Sequence, residues 1–138
     1  MTAGSRSRPE VAVGAVAVRD DALLLVRRGR GPAAGEWSVP GGRVEPGETL
    51  HAAVVRELLE ETGLEVVVDR FLGWVERIGV DFHFVILDFA VTVLGDTPPV
   101  AGDDAAEVMW VPLGDVTELR LVDGLCDFLR DTGVVTVP

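Results

Sequence analysis

The spacing of charge between Gly42 and Leu64 constrains this chain more than any other feature. The segment reads Gly-Arg-Val-Glu-Pro-Gly-Glu-Thr-Leu-His-Ala-Ala-Val-Val-Arg-Glu-Leu-Leu-Glu-Glu-Thr-Gly-Leu. Wound as a helix from Leu50 to Thr62, it places Glu57, Glu60 and Glu61 within about 100° of arc. These acids lie three and four residues apart, where helical side chains are neighbours. Ala52, Val54, Val55, Leu58 and Leu59 fall on a separate apolar arc that can bury against a sheet. The pattern predicts a helix that grips a core with one side and offers an acidic ridge on the other, with Gly63 as its stop. Like charges at this spacing repel, so the ridge costs stability until cations neutralise it. An oxygen-only cluster suits Mg²⁺ or Mn²⁺ rather than zinc, and no Cys or His falls on that arc.

An isolated Glu-x-x-Glu-Glu is usually a solvated helix face. Here Arg56 adjoins the acids, and Pro40-Gly41-Gly42 leads into the segment as a tight turn that permits close backbone approach. The fixed points Gly42, Glu48, Arg56, Glu57, Glu60, Glu61 and Gly63, with apolar Leu58 and Leu64, resemble the Nudix box at every defining position. The resemblance implies a metal-dependent hydrolase of nucleoside diphosphates linked to another group. It implies metal ligation by Glu57, Glu60, Glu61 and the Gly41 carbonyl. It also implies that Arg56 orients the carboxylates, with Glu48 able to pair with it. Its fold is an α/β/α sandwich with a mixed β-sheet, and dimers are common within it. A homodimer is therefore one expectation, though no apolar interface stands out in the sequence.

The remaining chain fits that architecture. Residues 1–10 read as a flexible leader and residues 11–138 as a single domain. Val11–Val18 and Ala22–Arg28 read as strands joined by an Asp20-Asp21 turn, and residues 29–36 as a loop by composition. Residues 64–68 begin a strand, and residues 71–93 are extended, as a long hairpin or two sheet strands. Glu107–Pro112 forms a last short strand and Leu121–Asp131 a second helix. Helices on opposite faces of the sheet would give the sandwich.

Several further residues are candidates for the site. Arg27 and Arg28, with Arg30, could hold substrate phosphates, because guanidinium forks match phosphate oxygens. Trp37 could stack on a nucleobase or cap the core. In the loop after residue 100, Asp104 is the candidate for an additional metal ligand or base, with Asp103 and Glu107 as alternatives. His83, among Phe82, Phe84 and Val85, reads as a strand residue with a satisfied partner, and His51 as having no part in the chemistry.

A net charge of −11 argues against a nucleic-acid polymer as partner. It leaves small anionic substrates open, because bound metal inverts the local field. No stretch reaches the roughly 20 apolar residues that cross a bilayer. The single Cys126 allows no internal disulfide, fits a cytoplasmic setting and reads as a buried apolar residue.

The flanks Val-Ala-Val-Gly-Ala-Val-Ala-Val (11–18), Trp-Ser-Val-Pro-Gly-Gly (37–42), Phe-His-Phe-Val-Ile-Leu-Asp-Phe (82–89) and Gly-Asp-Asp-Ala (102–105) resemble a compact bacterial ADP-ribose pyrophosphatase-like group. That would imply ADP-ribose and water giving AMP and ribose 5-phosphate. The alternatives are a pyrophosphohydrolase of oxidised dGTP and, from another class, a non-catalytic ligand-sensing domain. Asp103, Asp104 and Glu107 have no Lys or Arg close in sequence. That favours a neutral sugar over a further phosphate, because an acidic rim repels added negative charge.

Overall fold

A computed structural model describes residues 8–31 and 33–136 of the chain. Its elements run β1 (Glu10–Arg19), β2 (Ala22–Arg28), β3 (Trp37–Ser38), β4 (Gly41–Arg43), α1 (Leu50–Thr62), β5 (Val66–Ile78), β6 (His83–Val93), β7 (Ala105–Pro112), a 3-10 turn (Leu113–Glu118) and α2 (Leu125–Asp131). Of the leader expected over residues 1–10, residues 1–7 lie outside the described residues, and Glu10 already belongs to β1.

The first hairpin forms as its sequence predicts. Asp20 and Asp21 both adopt positive φ, 52° and 61°. Asp is one of the few residues that tolerates this region, and paired positive φ matches the twist of a two-residue hairpin. β1 then runs parallel to β6 and antiparallel to β4, while β5 and β6 form the long hairpin. β2 pairs antiparallel with both β3 and β7. The sheet is therefore mixed.

Two cores lie on its two faces. Alternation along β2 sends Leu24 to one side, with Val54 and Leu58 of α1, and sends Leu23 and Leu25 to the other, with Leu125, Phe128 and Leu129 of α2. This is the three-layer α/β/α arrangement.

Helix α1 has the expected ends. Thr49 Oγ1 accepts from the Ala52 amide at 3.1 Å, and Gly63 closes the helix in the left-handed region. Its rotation differs from expectation. The buried positions are Ala53, Val54, Leu58 and Thr62, while Val55 is 40% and Leu59 51% exposed. Glu57 and Glu61 consequently sit on the packed side of the helix, not on a ridge facing away from the core. The physical reason is the strand beneath. A Cβ on Gly42 would lie 2.3 Å from the Glu57 carboxylate, so a side-chain-free backbone makes room for that acid.

The second helix begins at Leu125, later than the Leu121 expected from sequence. Residues 120–122 are held extended against Trp37. The Trp37 amide donates to the Arg120 carbonyl at 2.8 Å, and the Val122 amide donates to the Trp37 carbonyl at 2.9 Å. Gly124, at φ 85°, then turns the chain into the helix.

Candidate active site

One cavity of about 670 Å³ opens between the sheet, α1 and the α2 layer. That volume suits a small-molecule ligand. Gly41, Gly42, Glu57 and Glu61 line one part of its wall, and Arg27, Arg28, Arg30 and Asp104 also line it.

Arg56 organises the acids. Its Nε and Nη2 donate to the two carboxylate oxygens of Glu48 at 2.7 and 2.9 Å. Such a two-pronged contact is the strong form of the Arg–carboxylate pair. The same side chain donates to Glu57 at 3.1 Å, to Glu60 at 3.2 Å and to the Arg43 carbonyl at 2.9 Å. Arg56 and a backbone hydrogen bond from Glu45 hold the Glu48 carboxyl down at about 2. The pairing expected between Glu48 and Arg56 is thus present.

Glu57 and Glu61 behave differently. Burial raises the Glu57 carboxyl above its ordinary range, against the opposing pull of Arg56. Burial, reinforced by the charge of Glu57, pushes Glu61 up to about 7, although a backbone hydrogen bond from Gly41 and the charge of Arg28 oppose the shift. Gly41 and Gly42 belong to strand β4, paired with β1, rather than to the tight turn expected from sequence. Two desolvated carboxylates beside that bare strand backbone form an oxygen donor set that suits a hard divalent cation. Among the described residues, no three acids converge as a closed metal cluster. Glu60 is bonded to Arg56 and lies outside the cavity wall.

The other expected residues divide. Arg27, Arg28 and Asp104 reach the cavity, whereas Trp37 does not. Trp37 is 9% exposed and packs in the core beneath α2. The acids after residue 100 do have cations nearby, contrary to the expectation from chain proximity. Arg27 pairs with Glu107 at 3.2 Å and Arg30 with Asp104 at 3.2 Å. β7 lies against β2, so Arg27 and Glu107, 80 positions apart in the chain, become neighbours. His83 bonds Glu76 across the β5–β6 hairpin at 3.0 Å. His51 is exposed on α1 and touches the Phe89 ring edge-on. Cys126 is only partly buried in α2.

Comparison with known proteins decides the family. The NUDIX domain model matches residues 8–131. The chain belongs to the Nudix hydrolase family. It is 39% identical over 113 residues to a Methanocaldococcus jannaschii protein named ADP-ribose pyrophosphatase, covering 80% of this chain and 66% of that relative. It is 36% identical over 118 residues to a Mycobacterium tuberculosis protein named putative 8-oxo-dGTP diphosphatase 2, covering 82% of this chain and 80% of the relative. The solved MutT NUDIX hydrolase from Burkholderia pseudomallei superposes with a TM-score of 0.78 at 29% identity, covering 90% of this chain and 98% of that one. In this chain the box runs from β4 through α1. The long mixed sheet and both helices match the architecture expected from the box. Among the described residues, no helix is long and apolar enough to cross a membrane.

Residues that sequence reading passed over line the rest of the cavity. They include Gly14 of β1, Ile86 and Asp88 of β6, and Phe128 of α2. The one available signal was an acid, Asp88, standing between Leu87 and Phe89 in an otherwise apolar run.

Proposed function

We propose that this Nudix hydrolase cleaves a nucleoside diphosphate linked to another group, with ADP-ribose, giving AMP and ribose 5-phosphate, as the leading substrate and Mg²⁺ or Mn²⁺ as cofactor. The observation that carries the chemistry is the pair Glu57 and Glu61, held at the cavity wall against Gly41 and Gly42, with Arg56 fixing one of them. Glu57, Glu61 and the Gly41 carbonyl would hold the cation, with Glu60 joining on release from Arg56. The chemistry a divalent cation supplies when bound is neutralisation of the diphosphate oxygens and a lower pKa for the attacking water. Arg56 spans Glu48, Glu57 and Glu60 and so keeps the carboxylates oriented. Glu57, Glu61 and Asp104 line the cavity and are the acids able to accept the proton of the attacking water. Arg27, Arg28 and Arg30 line the cavity where phosphate oxygens would meet guanidinium donors.

The relative named ADP-ribose pyrophosphatase supports the leading substrate. The second reading, hydrolysis of oxidised dGTP, gains from the pairing of Arg27 and Arg30 with the acids once expected to repel a further phosphate. A panel of ADP-ribose, NADH, diadenosine polyphosphates, dGTP and oxidised dGTP, with Mg²⁺, Mn²⁺ or chelator, tests both. ADP-ribose is expected to lead dGTP and oxidised dGTP in kcat/KM by at least about tenfold, roughly 1.4 kcal/mol. A triphosphate at the head of the panel replaces ADP-ribose with the second reading. Undiminished turnover in chelator removes the metal from the mechanism.

A further inference from the structure

Asp88 occupies a place built for one carboxyl. On its strand, β6, it stands opposite Gly14 of β1 and Gly73 of β5. A Cβ on Gly14 would lie 2.1 Å from Asp88 Oδ1, so the carboxyl fills the space that glycine leaves. A Cβ on Gly73 would meet the Phe128 ring at 3.3 Å, so that ring closes the other flank. Asp88 is 3% exposed, and its Oδ1 has no hydrogen-bond partner. It nevertheless lines the same cavity as Glu57 and Glu61. Phe84 and Ile86, on the same face of β6, line that cavity too, as do Val75 and Phe128.

Buried polar atoms are normally bonded, and an unmet one in a ligand cavity calls for a donor on the guest. A phosphate has no such donor and would be repelled by a carboxylate. A sugar brings hydroxyl donors but little flat apolar surface for Phe84, Ile86 and Phe128. A nucleobase brings both an apolar face and an N–H edge, the two features by which proteins read unpaired bases. The inference rests on the hydrolase reading above and names the part of the substrate that this wall receives. We infer that Asp88 is a specificity-determining residue whose carboxyl accepts a hydrogen bond from the exocyclic amino group of adenine, guanine or cytosine, seated against Phe84, Ile86 and Phe128. Uracil, which lacks that group, is the disfavoured base. Burial pushes the Asp88 carboxyl up to about 7, in keeping with a group that water does not satisfy.

The test compares wild type with Asp88→Asn and Gly14→Ala. The second variant leaves Asp88 in place and displaces its carboxyl. Two series are assayed with Mg²⁺. One varies the base (ADP-, GDP-, CDP- and UDP-glucose), and the other holds adenine and varies the second group (ADP-ribose, ADP-glucose, ATP). In parallel, AMP, GMP, CMP and UMP are titrated by calorimetry. Wild type is expected to favour amino-bearing bases over uracil by about tenfold or more, the direction in which a site with a buried hydrogen-bonding group discriminates. Both variants should compress that ratio to about threefold or less and leave the order of the second series unchanged. Reordering of the second series with the base ratio intact would assign Asp88 to the sugar and overturn the inference. An equal loss across all substrates, or no change in any, also overturns it. Absence of turnover by wild type on every substrate counts against the hydrolase reading alone. The monophosphate titrations still decide on Asp88: a wild-type preference for AMP or CMP over UMP that is lost in Asp88→Asn upholds it, and equal affinities reject it.

Discussion

Two of the cavity's desolvated carboxyls, Glu61 and Asp88, are each pushed up to about 7 by burial, and they are treated in opposite ways. Glu61 sits beside a like charge, Glu57, and receives a backbone hydrogen bond from Gly41. Arg56 fastens its neighbours Glu57 and Glu60. Asp88 is raised by burial and has an oxygen with no partner. Each meets glycine backbone, Glu61 through the hydrogen bond from Gly41 and Asp88 at Gly14. The contrast teaches that burial alone does not define a role. Packed acids with a like-charged neighbour favour a cation, whereas a lone acid in an apolar wall favours a neutral donor.

The largest effect should come from the first region. Glu61→Gln is expected to lower kcat by about 10²-fold or more with Mg²⁺, the scale on which a transition-state charge stabiliser is lost. In chelator, the same variant should melt at or above the wild-type temperature, because a buried like charge beside Glu57 is removed. Activity and stability then move in opposite directions, as at sites where function is held against stability. Near-normal turnover, or a variant that fails to fold, would put Glu61 in a structural role.

The second region should show its difference through pH. The folded-state value of Asp88, about 7, lies above its ordinary 3.8. Stability tied to its neutral form is therefore full below about pH 4 and lost as pH rises towards 7. Asp88→Asn carries no such charge. The linkage has a ceiling of roughly 4 kcal/mol above pH 7. Relaxation at a cavity wall brings the expected gain to about 1–2 kcal/mol, or roughly 3–8 °C in Tm. Thermal melts in chelator should show the variant gaining on wild type between about pH 4 and 7 and holding a constant lead above that. A lead that does not vary with pH would mean that Asp88 is not titrating in this range.

The two regions also differed in how far the sequence disclosed them. Glu57, Glu60, Glu61 and Arg56 lie within two turns of one helix, so periodicity alone brings them together. The limits of α1 and the Asp20-Asp21 hairpin were equally local and were legible for that reason. What periodicity could not supply was rotation. Val55 and Leu59 are as apolar as Val54 and Leu58, and only the glycine strand beneath decides which pair is buried. Asp88 owes its setting to Gly14, Gly73 and Phe128, which come from three other elements. Its place depends on strand register that no local pattern carries. The pairing of Arg27 with Glu107 was hidden by the same cause, since it exists only once β7 lies beside β2.

The smallest effect concerns the loop that joins the two kinds of information. Its placement is tertiary: the Val100 amide donates to the Thr62 carbonyl at 2.8 Å, and the Gly102 amide to the Glu61 carbonyl at 2.9 Å. A Cβ on Gly102 would lie 2.2 Å from the Glu60 carbonyl, so the close approach requires glycine. This docking sets Asp104 on the cavity wall, close enough for its charge to act on Glu61. Asp103 and Glu107 do not line the cavity. Asp104→Asn is therefore expected to slow turnover by about three- to tenfold, roughly 1 kcal/mol. Asp103→Asn and Glu107→Gln should stay within about twofold. Stability should barely move in any of the three. The Asp104–Arg30 pair is 81% and 71% exposed at its side chains, and exposed pairs contribute about 0–1 kcal/mol. Steady-state kinetics on the best substrate, paired with melts, separates the outcomes. Equal, near-wild-type rates for all three variants would leave the base within the box helix. A loss of about 10²-fold or more at Asp104 alone would move the base to the loop, since removal of a general base costs at least that much.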